Sequence, residues 1–272
     1  MDRLALPLRA ALTLLAALAA PVSAAQTAPT PTAAPTPAGA PAADERLAAH
    51  GRLREALAAG RLDEAASLAA SVVSLTEARF GKDARELVNP LTNAGTVAFR
   101  RGDFAGAEAL YQRAVAIIDG RGGGADRDLI RPLTGLGETW LAAGRPAEAA
   151  AAFKRAVDLS RNLDGLYNLA QLDIVDPLIE SYQATGRTEE AEREQVFAFR
   201  VAESAYGRND PRLLDPLDRL ARWHESQLRF TTARGLHARA LQIAELGATS
   251  TPPTGVPALR GLARTWMGEA LY

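Results

Sequence analysis

Residues 130–165 read IRPLTGLGETWLAAGRPAEAAAAFKRAVDLSRNLDG, and this stretch decides the fold. Leu133, Leu136, Gly137 and Trp140 recur at i, i+3, i+4 and i+7, the spacing that places side chains on one face of an α-helix. Ala143-Gly144-Arg145-Pro146 then breaks the pattern. Glycine can take the left-handed conformation that ends a helix, and proline suits the first turn of the next. The following run carries Ala149, Phe153 and Ala156, small residues flanking a large one, so two helices can approach closely while the ring fills the space between them. The stretch predicts an antiparallel helix hairpin.

The same features recur along the chain. Gly60, Gly102, Gly144 and Gly186 stand 42 residues apart, and so, independently, do Gly81, Gly123, Gly165 and Gly207. Ala65, Ala107, Ala149, Ala191 and Ala233 form a third column with that step, and Val72, Ala114, Ala156, Ala198 and Ala240 a fourth. Units therefore start at 46, 88, 130, 172 and 214, with a partial sixth from 256. The first-helix stripe repeats as Val175, Leu178, Ile179 and Tyr182, then as Leu217, Leu220, Ala221 and His224. In the last unit Val256, Leu259, Leu262 and Trp266 are expected to cover the exposed side of the fifth hairpin as a cap. Repeats of fixed length stack so that each hairpin touches its neighbours, giving an open superhelix of about eleven helices.

Two features strain this register. The first unit has Ala49 and Arg52 where large apolar residues are expected, which predicts a frayed opening helix, and the fifth has Leu228 in place of the turn glycine. Pro90, Pro132 and Pro216 share a place near the start of the first helix, with Pro177 three residues later and Pro257 one earlier. Either these helices begin just before the proline, or they begin earlier and kink. Asp210-Pro211 resembles an N-cap with a first-turn proline and favours the earlier start, with a kink near Pro216.

The residues of the third unit resemble the tetratricopeptide repeat family in order: Leu133, Leu136-Gly137, Trp140, Gly144, Ala149, Phe153 and Ala156. The 42-residue period resembles the longer repeats of kinesin light chains and many bacterial proteins. The resemblance spans 46–272 and implies an all-α, open right-handed superhelix whose first helices line a concave groove that binds a protein or peptide segment. The groove would carry Asn89, Thr92, Asn93, Thr96 and Arg100, then Arg131, Thr134 and Glu138. It would turn acidic at Asp173, Asp176, Glu180, Asp215 and Asp218, and basic again at Arg222, Arg260 and Arg264. The alternative is that these are ordinary solvated faces. A clamp for a terminal carboxylate, known in the family, matches at Asn93 and Arg131 but fails at His50, Arg54 and Gly135.

Composition narrows the function. Over 272 residues, 31 basic against 32 acidic side chains give a net charge of -1, so no overall basic field draws the protein to nucleic acid. With no cysteine there is no disulfide framework, thiolate metal site or cysteine nucleophile. His50, His224 and His237 lack metal-ligand spacing; the last two stand where other units carry aromatics and are expected to be packed, hydrogen-bonded rings. Gly122-Gly123-Gly124 reads as a flexible joining loop, without the preceding strand a phosphate-binding loop requires. No cofactor and no metal are expected. Arg3 and Arg9, the apolar run Ala10–Ala20 and the small residues of Val22-Ser23-Ala24-Ala25 predict a signal peptide over 1–24, cut after Ala24 or Ala25, and a periplasmic or secreted protein. The rival, a retained anchor, would need roughly 20 apolar residues. A spacer of Ala, Thr, Pro, Gly and Gln follows over 25–43, the repeat domain over 44–272, and no later segment suits a membrane span. The function expected is a non-catalytic interaction scaffold. Two alternatives remain: a carbohydrate-active enzyme using groove carboxylates such as Glu180 and Asp218, and a self-assembling structural repeat.

Overall fold

Each turn between a first and a second helix is closed by the same pair of hydrogen bonds. In the third unit the Gly144 N–H donates to the Leu141 carbonyl at 3.1 Å and the Arg145 N–H to the Trp140 carbonyl at 2.8 Å, with Gly144 at φ 74°. This Schellman arrangement satisfies carbonyls left open at the helix end and needs the left-handed region at one residue. The structure, a computed structural model, describes residues 40–246 and 256–271. The expected signal peptide and residues 25–39 of the expected spacer lie outside the described residues.

Among the described residues there are eleven α-helices and no strand. First helices are α1 (Ala40–Ala58), α3 (Val88–Arg100), α5 (Ile130–Ala142), α7 (Leu172–Ala184), α9 (Leu214–Ser226) and α11 (Val256–Leu271). Second helices are α2 (Leu62–Phe80), α4 (Phe104–Asp119), α6 (Pro146–Asp164), α8 (Thr188–Tyr206) and α10 (Phe230–Leu246). From α3 onward every first helix starts 42 residues after the last, as does every second helix from α2. Residues 46–272 form one unit, an all-α open right-handed superhelix of stacked hairpins. The core is continuous along it: Leu91, Leu133, Val175 and Leu217 hold the same place in successive units, and each is at most 3% exposed.

Short 3-10 turns at Arg85–Leu87, Arg127–Leu129, Leu169–Gln171 and Pro211–Leu213 lead into the first helices. They answer the proline question. Asp210 caps a 3-10 turn rather than an early α-helix, accepting from the Arg212 N–H at 2.9 Å. Pro90, Pro132 and Pro216 fall third in their helices, where backbone N–H groups have no intrahelical acceptor to lose, so the kink expected near Pro216 is not required. Pro177 alone of these lies inside its helix.

Three further expectations are corrected. The opening helix is in place: α1 begins at Ala40, inside the expected spacer, and buries Ala49, Leu53 and Ala56 in the stripe's register. The glycine run at 122–124 has specific geometry. Because α4 ends at Asp119, Gly122 rather than Gly123 takes positive φ (72°), and a Cβ on Gly123 would stand 2.7 Å from Ile118 Cγ2. Finally, α11 does not cover the fifth hairpin with Leu259 and Trp266, which are 53% and 63% exposed; Ala258, Gly261 and Thr265 face inward instead.

Charge pairs tie successive second helices together. Arg113 reaches Glu77 at 3.1 Å, Arg155 reaches Asp119 at 2.5 Å and Arg239 reaches Glu203 at 2.5 Å. In the fourth unit this arginine's place holds Phe197, and the acidic partner's place holds Arg161, whose guanidinium stacks 4.6 Å from the Phe197 ring. The ion pair persists there with its polarity reversed, Arg161 reaching Glu194 of α8 at 2.6 Å, and the cation–π contact adds to it.

Leu228, at φ 56° and 55% exposed, occupies the left-handed place that glycine fills in the first four units. A β-carbon costs about 1–2 kcal/mol in that conformation, partly offset by glycine's larger loss of backbone freedom on folding. Leu228→Gly is therefore expected to raise the thermal midpoint by roughly 2–4 °C, as a calorimetric melt would show. A lower midpoint would mean that the leucine side chain contributes more than its backbone costs.

Candidate functional site

The first helices α3, α5 and α7 lie side by side, and the character of the surface they form is set where α3 and α5 meet. Tyr111 of α4 rises between them because two glycines make room. A Cβ on Gly95 would lie 2.8 Å from the ring, and one on Gly135 would lie 2.4 Å from it. The Thr96 hydroxyl donates to the Thr92 carbonyl at 3.0 Å, so the phenol, 3.0 Å from Thr96 Oγ1, is the donor in that contact. Burial pushes the Tyr111 phenol up to about 12, which keeps it protonated. Arg131 donates to Asn93 Oδ1 at 3.1 Å. Both Arg131 and Glu138 act electrostatically on the phenol, so these side chains form one polar patch.

Glu138 is the exceptional member. It makes no hydrogen bond or ion pair among the described residues, and burial pushes its carboxyl up to about 7. A carboxylate out of water is costly unless a cation or donor answers it. Here the described residues supply neither.

Further along, the expected acidic zone is partly neutralised from within. Asp176 is held by Arg219 of the next unit. Burial raises its carboxyl's proton affinity, while the guanidinium works the other way. Asp218 pairs with Arg222 one turn on at 2.8 Å, and its other oxygen is buried without a partner. Asp173, Glu180 and Asp215 are exposed and make no hydrogen bond or ion pair among the described residues; the same holds for exposed Asn89 and half-buried Arg100. The structure thus joins Asn93 to Arg131 and Asp218 to Arg222, sets Glu138 in the patch around Tyr111 and Asp173 near Asp176, and joins no other pair of candidates among the described residues.

Two residues of this surface were missed by sequence reasoning. Tyr111 belongs to a second helix and is absent from the sequence-derived candidates, although mid-helix Gly95 and Gly135 signal that something large passes between α3 and α5. Arg219 stands one place beyond the register of Asp176, so a column-by-column reading does not pair them.

The histidines divide. The His237 Nε2–H donates to Glu225 Oε1 at 2.8 Å, whereas the His224 ring makes no hydrogen bond among the described residues; the Nδ1 of both is buried without a partner. Among the described residues no three His, Cys, Asp or Glu side chains are grouped to hold a metal ion, and no helix is long and apolar enough to cross a membrane. A hollow of about 590 Å³ lies elsewhere, between α2, α3 and α4. Ala69 lines it, at the place where Tyr111 and Phe153 fill the later units.

Known proteins match this architecture. The tetratricopeptide repeat model matches residues 55–120, 86–162 and 170–245. The chain belongs to the tetratricopeptide repeat family. Among solved structures, a Podosopora anserina protein built of nearly identical, kinesin-light-chain type TPR-like repeats superposes with a TM-score of 0.67 at 18% identity, covering 76% of this chain and 98% of that one. BtubC (BKLC) from P. vanneervenii gives 0.57 at 19% identity over 80% and 84% of the two chains. YrrB, described as a TPR protein with an unusual peptide-binding site, gives 0.52 at 15% over 82% and 97%. No curated protein matches the sequence.

The state of Glu138 makes a stability prediction for this tetratricopeptide repeat protein. A carboxyl that holds its proton more tightly when folded than when unfolded loses stability as pH rises. The loss runs from its ordinary value of 4.5 to about 7 and persists above that. Glu138→Gln should therefore raise the thermal midpoint at pH 8 by roughly 2–4 °C and change little at pH 4.5. Equal melts at pH 8 would mean that solvent already satisfies the carboxylate.

Proposed function

We propose that this protein is an exported, non-catalytic adaptor whose inner surface holds an extended segment of a partner protein, with a Lys or Arg of that segment seated on Glu138. The carrying observation is the half-buried carboxylate of Glu138, which has no partner of its own and sits beside the Tyr111, Arg131 and Asn93 polar patch. A group that costs stability in the free protein is accounted for if a ligand supplies the missing charge. Exposed Asp173, Glu180 and Asp215 lie further along and would add orientation and association rate rather than affinity, because exposed pairs contribute only about 0–1 kcal/mol each. Membership of the tetratricopeptide repeat family and the peptide-binding description of YrrB support a segment as the ligand. The signal-peptide pattern before residue 26 supports export to the periplasm.

Acid–base catalysis is not favoured, because Asp176 and Asp218 are engaged by Arg219 and Arg222. The test is affinity capture from periplasmic extract with the mature protein, with Glu138→Gln, and with Asp173, Glu180 and Asp215 all changed to their amides. A partner retained by the wild type and lost by Glu138→Gln is expected, with tighter retention at pH 8 than at pH 6. Its bound segment should weaken roughly tenfold when its basic residue becomes Gln. The same proteins on all three baits would sink the groove reading. Export is checked separately by the mass of the periplasmic protein, which should lack residues 1–24 or 1–25; an intact N-terminus would overturn it.

A further inference from the structure

The structure describes six first helices in one register but only five second helices, and the sixth first helix keeps the sequence that a second helix packs on. At its first stripe position Leu91, Leu133, Val175 and Leu217 are 0–3% exposed, whereas Leu259 is 53% exposed. At the last position Tyr182 and His224 are buried, whereas Trp266 is 63% exposed. This is not a loosely attached end. Gly261 lies over the His237 ring, where a Cβ would come within 2.2 Å, and Arg264 reaches Glu225 at 3.2 Å. Arg234 of α10 pairs with Glu269 and stacks 4.3 Å from the Trp266 ring. One face of α11 is seated on the fifth hairpin, while Leu259 and most of Trp266, on which Arg234 alone stacks, are left uncovered by the described elements.

The stripe also identifies what fits it. Leu259, Leu262, Ala263 and Trp266 match Leu133, Leu136, Gly137 and Trp140 of α5 in place and nearly in type; in α5 the Phe153 ring of α6 packs on Gly137, and Leu133 and Trp140 share its core, while Leu136 packs toward α4. The single change is informative. A Cβ on Gly137 would stand 2.7 Å from the Phe153 ring of α6, so Ala263 leaves no room for a phenylalanine at that place. The fifth unit, which has Ala221 at the same position, carries His237 where α6 has Phe153.

We propose that the Leu259–Trp266 face of α11 is a docking site for an amphipathic helix of a partner protein, lying against α11 as α6 lies against α5. That helix carries a small residue at the place of Ala149 and a side chain smaller than phenylalanine at the place of Phe153. The site is separate from the inner groove and continues an interface the chain already builds five times. Those internal examples all set a second helix on this stripe, which selects such a helix over a second copy of α11.

The test uses the full chain and two N-acetylated peptides, residues 146–164 and the same sequence with Phe153→Leu, followed by peptide anisotropy and tryptophan emission. The Phe153→Leu peptide should bind saturably, shift emission to shorter wavelength, and bind about fivefold more tightly than the parent. Ala263→Gly should abolish that preference. Leu259→Glu, at an exposed position, should keep the melting temperature and weaken both peptides roughly tenfold. Binding unchanged by Leu259→Glu would place the peptide elsewhere, such as the hollow beside Ala69, and overturn the proposal. Failure of both peptides to saturate by about 1 mM would do the same. A sedimenting dimer of the chain that Leu259→Glu dissolves would overturn it too, assigning the face to a second copy.

Discussion

The fold depends on a ring entering a space that a glycine leaves. Phe153 packs against Gly137 of its own hairpin, Tyr111 fits between Gly95 and Gly135 of two adjacent first helices, and His237 lies under Gly261 of the next. In each case the contact would vanish with one added methyl group, because interiors are close-packed and cannot yield ångströms. Glycine in the middle of a helix costs backbone entropy. Between α3 and α5 this lets Tyr111 touch both its own unit and the next, one of the contacts that join successive hairpins.

Where the ring is missing or polar, the consequences are local and visible. Ala69 leaves the hollow beside α2. His237 brings a polar ring into the core and needs Glu225, which also holds Arg264, so one carboxylate joins α9 to α10 and α11. The charge pairs follow the same logic of neighbour-to-neighbour support. Arg113, Arg155 and Arg239 each answer an acid of the preceding second helix, whereas Arg161 answers Glu194 of the following one and stacks on Phe197. Glu138 breaks this habit, since it is a half-buried charge that no neighbour answers.

Most of the architecture was legible in the sequence because it is periodic. A step of 42 residues in four columns located every hairpin, since glycine at a left-handed turn and alanine at a close helix contact are demanded by backbone sterics rather than by distant context. The signals that misled were local ones read without their neighbours. Asp210-Pro211 is a sound cap, but a 3-10 turn needs the same cap as an α-helix, so the residues alone did not distinguish the two. Ala49 looked too small for a stripe, yet with Leu53 and Ala56 it is fully buried.

The candidate groove was legible as a list of polar residues, but not as a set of charges. Sequence by itself determined the family, the repeat boundaries and which helix faces are polar. These follow from spacing within a unit. Tertiary structure decided which charges are spent: Asp176 on Arg219, Asp218 on Arg222, and Glu138 on none. It also decided that α11 seats itself by Ala258, Gly261 and Thr265 and leaves Leu259 and Trp266 outside. The reason is physical. Periodicity fixes which side of a helix is apolar, whereas pairing and burial depend on what the next unit brings to within a few ångströms.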